Sequence, residues 1–325
     1  MFDVITCGSS TIDVFGDTDY EVIKIKTRKY EEDHIAYPSG VKLLIKQLNF
    51  RIGGGGVNTA IALSKLGLRT AYLGNLGKDN NGDMIIKHLK KHNVEFIGTR
   101  DEHQTGYSII LDSIERDRTI LKYSGANDYL YYSKLNTAKL KTKWFYFTSM
   151  MNTSFRTIVK LAELANKKRI KVMFNPSNYV VKKGYRHLAR LMKLCDVFMV
   201  NHIEAYTLAR TKGIKNQLKA LRNRGPKIVI VTEGKEGAGL FDGKFFLYVK
   251  ACELKPVEVT GAGDTFGASF LAGLIYKPRD FTFALKLAQV NAESVIMKTG
   301  AHAGLLSYKQ ALKALKKPIR VVKLK

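Results

Sequence analysis

In this chain of 325 residues, the arrangement best suited to chemistry is a carboxylate set among glycines, Thr260-Gly261-Ala262-Gly263-Asp264. The residues that follow, Thr265, Phe266, Phe270, Leu271, Leu274 and Ile275, recur at helical spacing, so the small residues open a helix. Glycines let the backbone approach a ligand closely. Successive N–H groups at a helix start, helped by its dipole, favour an anion. The backbone of Gly261, Ala262, Gly263 and Asp264 therefore reads as a phosphate cradle. A carboxylate beside phosphate is unfavourable unless it has a task, such as taking a proton from an attacking hydroxyl. Asp is also a preferred helix N-cap, and the residues alone leave base and cap equally open.

Two more polar groups stand at the ends of expected strands. Asn201 and Glu204, three apart at the start of a helix, could hold a hydrated Mg²⁺ and phosphate oxygens, with Glu204 acting through water, or could simply form a capping pair. Thr232, Gly234 and Gly237 offer a hydroxyl and exposed N–H groups to nucleotide phosphates, or make a glycine-rich turn. Nearer the front, Gly53-Gly54-Gly55-Gly56-Val57-Asn58 opens a helix. There a sugar could press on backbone while Asn58 and Asp13 bind its hydroxyls. The run lacks G-x-G-x-x-G spacing, and Gly77 to Gly82 continues with Asp83 where a Walker A loop needs Lys. His88 and His92 are four apart, a spacing that permits shared metal binding, but Lys87, Lys90 and Lys91 around them indicate an exposed polar face.

The elements that position these groups follow from hydrophobic patterning. Val4 to Cys7 leads into Gly8 to Asp13 as a buried strand followed by a loop would, with Asp13 just past the strand. Residues 18 to 52 alternate as strands with one wet face do. Tyr107 to Asp112 and Arg118 to Tyr123 read as a hairpin. Short apolar strands at Thr70 to Gly74, Trp144 to Thr148, Val172 to Asn175, Val197 to Asn201 and Ile228 to Thr232 alternate with helices. That order predicts an α/β fold: a doubly wound, mainly parallel sheet with helices on both faces and ligands at the carboxyl ends of its strands. Three separated cysteines exclude a disulfide framework or zinc site, and no apolar run is long enough to span a bilayer, so a cytoplasmic protein without membrane partners is expected. The net charge of +26 is mostly Lys and spread along the chain. No zinc-finger spacing or RNP-type segment accompanies it, so the charge does not single out nucleic acid as a partner.

From Asp13 to about Gly300 the chain resembles the ribokinase-like (PfkB-type) sugar and nucleoside kinases. The resemblance rests on Val257 to Phe266, on Gly53 to Asn58, and on the order of Gly74 to Asp79 with Gly82, Thr105-Gly106, Gly125-Ala126-Asn127, Asn175-Pro176, Asn201-x-x-Glu204 and Thr232-x-Gly234-x-x-Gly237. It implies an ATP-dependent phosphotransferase acting on a hydroxyl of a small sugar or nucleoside. Asp264 would be the base and the N–H groups of Gly261 to Asp264 the anion hole. It further implies acceptor binding by Asp13, Gly54, Gly55 and Asn58, and nucleotide binding by Asn201, Glu204, Thr232, Gly234 and Gly237. ATP, Mg²⁺ and, in many members, K⁺ accompany the fold, the latter near Glu258 and the backbone of Lys298 to Ala301.

Two departures bear on the acceptor. Phosphosugar members usually carry Thr-Arg where this chain has Thr105-Gly106, and ribose kinases contribute a Glu near residues 144 to 150, whereas no carboxylate occurs from Trp144 to Lys160. Tyr30, Tyr37 and Phe50 could stack on a nucleobase or pack in a sheet. The resemblance implies one kinase domain over residues 1–325, with a small β lid from about residues 14–52 and 104–124 that closes over the acceptor and could pair in a homodimer. A phosphosugar kinase is an alternative within this class. The alternative outside it is a kinase-like scaffold without catalysis that binds nucleic acid through its basic surface.

Overall fold

The computed structural model describes residues 1–17, 22–26, 31–35, 40, 42, 44–112, 118–316 and 318–324. Its centre is a ten-stranded sheet. In order across the sheet the strands are Val321–Lys323, Phe246–Lys250, Gly237–Phe241, Ile228–Thr232, Val197–Asn201, Lys171–Phe174, Thr142–Phe147, Phe2–Cys7, Thr70–Leu73 and Val94–Phe96. Every pairing from Ile228–Thr232 to Val94–Phe96 is parallel, and the other strands join antiparallel at one edge. Alternate residues of the inner strands face opposite sides. Val4 and Tyr146 join the core under helices Gly55–Lys65, Asn80–Lys91, Ala262–Tyr276 and Phe281–Ile296. Ile5 and Phe147 join the core under Asn152–Lys167, Tyr185–Leu194, His202–Ala209 and Ile214–Arg222. A sheet covered on both faces explains why its strands read as continuous apolar runs instead of alternating ones.

From the strand Phe2–Cys7 the chain builds outward through Thr70–Leu73 and Val94–Phe96, then restarts on the other side at Thr142–Phe147. The crevice between Cys7 and Phe147 is thus the topological switch point, where ligands bind in open α/β sheets. The N–H of Thr148 donates to the carbonyl of Cys7 across it, at 2.9 Å.

A separate four-stranded sheet is ordered Arg118–Tyr123, Tyr107–Asp112, Thr11–Asp17, Gln47–Gly53. The expected hairpin of Tyr107–Asp112 with Arg118–Tyr123 is present. Asp13 departs from its expected place in a loop: it lies inside the strand Thr11–Asp17, because that strand pairs with two neighbours. Register aligns Lys122 with Ser108, Ser108 with Asp13, and Asp13 with Arg51, so four polar side chains share one rung across the sheet. Within the stretch expected to alternate, Val22–Lys26 and Glu31–Ile35 form a two-stranded antiparallel ladder. Tyr30 and Tyr37 lie outside the described residues, and Phe50 is exposed on the small sheet.

Candidate active site

The glycine run near the front turns the chain out of the small sheet into the helix Gly55–Lys65, with Gly54 as its N-cap. Gly54 has φ 93°, and a Cβ there would stand 2.5 Å from the carbonyl oxygen of Ser9, so only glycine allows this close crossing. One turn into the helix, Asn58 faces the start of the helix Ala262–Tyr276, where its Nδ2 donates to Asp264 Oδ2 at 2.8 Å.

Asp264 is not a helix cap. The cap position belongs to Gly261, in left-handed conformation at φ 78°, and Asp264 lies inside the first turn with its carboxylate turned to Asn58. The capping alternative is therefore removed. The N–H of Ala262 is spent on the carbonyl of Val259 at 3.2 Å. Those of Gly263 and Asp264 make no hydrogen bond among the described residues and remain open to an anion. Asp264 keeps a solvent-accessible edge toward the cleft. Desolvation of the rest raises its pKa, against the hydrogen bond from Asn58 and the charge of Lys122.

Around this carboxylate the structure gathers residues that sequence reasoning missed. A Cβ on Gly55 would stand 3.1 Å from Thr148 Oγ1 and 3.3 Å from Asp264 Oδ1, which places all three at the floor of the switch-point crevice. Thr148 Oγ1 and Tyr146 Oη are buried without a hydrogen-bond partner among the described residues. Burial, and then the charge of Asp264, push the Tyr146 phenol well up. From the small sheet, burial raises the pKa of Asp13, opposed by hydrogen bonds with Thr11 and Ser108 and by the charge of Lys122. Lys122 acts on both carboxylates, and its ammonium lies 5.6 Å from the Tyr179 ring centroid. No local pattern marked Lys122; only the register of the small sheet brings it here.

A second pocket, about 230 Å³, opens on the other side of the Gly261 turn. Thr232, Gly234 and Gly237 line it together with Ala262 and Gly263, and its walls are largely apolar, from Leu254, Pro256, Phe266, Ala292 and Ile296. Asn201 and Glu204 do not line it, although Asn201 is the register partner of Thr232 on the next strand. They form a capping box: Glu204 N–H donates to Asn201 Oδ1 at 2.9 Å and Asn201 N–H to Glu204 Oε2 at 3.0 Å. Burial drives the Glu204 carboxyl up to about 7 despite these bonds.

Glu258 has a different neighbour from the one expected. Arg51 Nη1 lies 2.8 Å from its Oε2, and the N–H of Gly300 donates to the same oxygen at 2.9 Å. Burial would raise this carboxyl, but bonds from Thr260, Arg51 and Gly300 with the Arg51 charge hold it below the usual range. A guanidinium thus stands where the resemblance put a monovalent cation, and the residues present do not fit such an ion at this carboxylate.

Other parts of the family pattern are scaffold. Asp79 caps the helix Asn80–Lys91 and accepts from the Thr105 hydroxyl at 2.6 Å. Asn127 holds Ser10 through both its N–H and C=O. His88 and His92 are not a fully exposed polar face, because His88 turns inward to His302 at 3.3 Å. Among the described residues no group of three or more His, Cys, Asp or Glu is arranged to hold a metal, and no helix is long and apolar enough to cross a membrane.

The model of the pfkB family of carbohydrate kinases matches residues 10–307. An uncharacterized sugar kinase of Archaeoglobus fulgidus is 29% identical over 252 residues, covering 75% of this chain and 98% of that protein. The ATP-dependent 6-phosphofructokinase of Thermoanaerobacterium thermosaccharolyticum is 26% identical over 271 residues, covering 81% and 84%. Among solved structures, Arabidopsis thaliana ribokinase complexed with ribose and ATP superposes with a TM-score of 0.83 at 21% identity, covering 98% of this chain and 99% of that one.

Proposed function

The chain belongs to the pfkB family of carbohydrate kinases, and from that premise we propose that it transfers the γ-phosphoryl group of ATP to a hydroxyl of a small sugar or nucleoside bound between the small sheet and the switch-point crevice. The observation that carries this reading is the position of Asp264, held by Asn58 beside the open N–H groups of Gly263 and its own residue, next to the pocket that Ala262 and Gly263 line.

In this reading the acceptor hydroxyl lies against Asp264 Oδ1, the oxygen left open when Asn58 engages Oδ2. Asp13 and Asn58 bind neighbouring hydroxyls against the backbone of Gly54 and Gly55, and Thr148 has an unspent hydroxyl at the same floor. Asp264 accepts the proton as the oxygen attacks, while the N–H groups of Gly263 and Asp264 meet the charge on the transferring group. The nucleotide occupies the pocket of Thr232, Gly234 and Gly237, whose apolar walls suit an aromatic base. Glu204, buried and short of positive charge, fits a water-mediated contact with magnesium, which when bound offsets phosphate charge. The small sheet carries Asp13 and Lys122, so its closure over the acceptor excludes water and guards ATP from hydrolysis.

A coupled ATP-consumption screen over sugars, phosphosugars and nucleosides tests the reading. Asp264→Asn keeps size and hydrogen bonding but removes the base. It folds with near-parental Tm, binds ATP and loses turnover by on the order of 100-fold or more. Parental turnover in that variant overturns the role of Asp264. Salt-steep nucleic-acid binding indifferent to ATP, with no turnover on any acceptor, overturns the enzyme in favour of a scaffold.

A further inference from the structure

Behind Asn58 stands a row of histidines that the proposed chemistry does not use. His302 Nε2 lies 2.9 Å from Asn58 Oδ1, and His302 Nδ1 lies 3.3 Å from His88 Nε2. His92 packs edge-on against His88, with ring centroids 4.6 Å apart.

Donor and acceptor rules fix the direction of every bond in this row. An ionised carboxylate only accepts, so the Asn58 atom facing Asp264 is the amide nitrogen. The carbonyl Oδ1, also a pure acceptor, therefore faces His302, and His302 Nε2 carries its hydrogen. In neutral His302 the lone pair is then on Nδ1, and His88 Nε2–H donates to it. All donors point one way, from His88 through His302 and Asn58 to Asp264.

We propose that His302 is a positioning residue for Asp264, acting through the side-chain amide of Asn58. The proposal rests on the assignment of Asp264 as the base. With His302 Nε2–H in place, the Asn58 amide is locked with nitrogen toward Asp264 Oδ2, which leaves Oδ1 for the acceptor proton. Without it the amide is free to turn over and present its own oxygen to the carboxylate. An oxygen facing an oxygen opposes ionisation and weakens the base.

The surroundings keep both rings neutral. Burial, then the charges of His88 and His92, push His302 down to about 3. Burial, then His92 and Lys91, push His88 down to about 4. Lys122 from the small sheet and Tyr146 from the strand Thr142–Phe147 also face Asp264, and neither belongs to the histidine row. Among the described residues, the hydrogen-bonded path from His302 to Asp264 runs through Asn58.

The test is a pH titration of the Asp264 carboxyl ¹³C resonance, assigned by its loss in Asp264→Asn, in the parent, His302→Leu and His302→Gln. The Leu variant raises the midpoint by roughly one pH unit, a tenfold change in proton affinity. The Gln variant, with an amide N–H to donate, restores it. A parental midpoint in a folded Leu variant overturns the proposal. In the parent, ¹⁵N shifts of the imidazoles report Nε2–H on both His88 and His302, and an Nδ1–H tautomer at His302 overturns it without any variant. Neither measurement needs an acceptor or turnover, so failure of the kinase reading and failure of this one are separate results.

Discussion

Arg51 and Glu258, 207 positions apart in sequence, meet as an ion pair of 2.8 Å at the foot of the Gly261 turn. The side chain of Glu258 is almost fully buried and that of Arg51 is 29% exposed, so the pair is held inside the protein and only its guanidinium edge is wet. Turnover in potassium chloride is accordingly expected to equal turnover in tetramethylammonium chloride of the same ionic strength. Removing the guanidinium strands a buried carboxylate, which is strongly destabilising. Arg51→Met should lower Tm and gain a potassium-dependent rise in Tm that the parent lacks. A parent whose Tm and rate both climb with potassium refutes this.

Gly261→Ala tests the turn that aims the N–H groups proposed as the anion hole. At φ 78° a side chain costs about 1–2 kcal/mol, and the added Cβ would stand 2.6 Å from the Cβ of Ala301. The variant should melt several degrees lower. Its kcat should fall more than its acceptor KM rises, because the N–H groups of Gly263 and Asp264 move together. Unchanged kcat in this variant separates the turn from catalysis.

Glu204 should leave a mark on stability against pH. Its carboxyl rises from 4.5 to about 7 on folding, so the native state holds a proton that the unfolded chain has lost. Stability from this group is complete below 4.5 and is lost as pH climbs through about 7. Glu204→Gln keeps the capping box and has no proton to lose. It should be more stable than the parent at pH 8, by on the order of 1 kcal/mol, and indistinguishable from it at pH 4. Denaturant melts at the two pH values decide the matter, and equal differences at both would rule out the burial of a costly charge.

Cys252 is a built-in reporter of the second pocket. It is exposed and lines that pocket, whereas Cys7 and Cys195 are buried. Alkylation of the native protein should therefore occur at Cys252 alone, and MgATP should slow it severalfold. Modification at an unchanged rate under saturating MgATP would place the nucleotide elsewhere.

The residues that were legible in advance are those whose meaning is local. Gly261 to Asp264 precede an apolar helix in one uninterrupted stretch, and Gly53 to Asn58 do the same, so spacing alone announced both turns. The parallel sheet was legible because its strands are short apolar runs between helices. Asp13 was named for the site but placed in a loop, since nothing nearby shows that two later segments will flank it. Lys122, Ser108 and Arg51 join Asp13 in one rung only through register between strands far apart in sequence. His302 likewise meets Asn58 only because the loop after Ile296 folds back against the helix that carries Asn58. The cap reading of Asp264 failed for a matter of three residues, because Gly261 takes the left-handed turn and so begins the helix earlier.

The strand Phe2–Cys7 belongs to the large sheet and Thr11–Asp17 to the small one, with only residues 8–10 between them. Asp13 therefore belongs to the small sheet and Asp264 to a helix packed on the large one. On the proposed reading, the side chains that choose the acceptor, along the rung of Lys122, Ser108 and Asp13, can be exchanged while Gly261 to Asp264 stay untouched. A lineage built on this chain would then change its acceptor without altering the turn proposed to carry out the transfer.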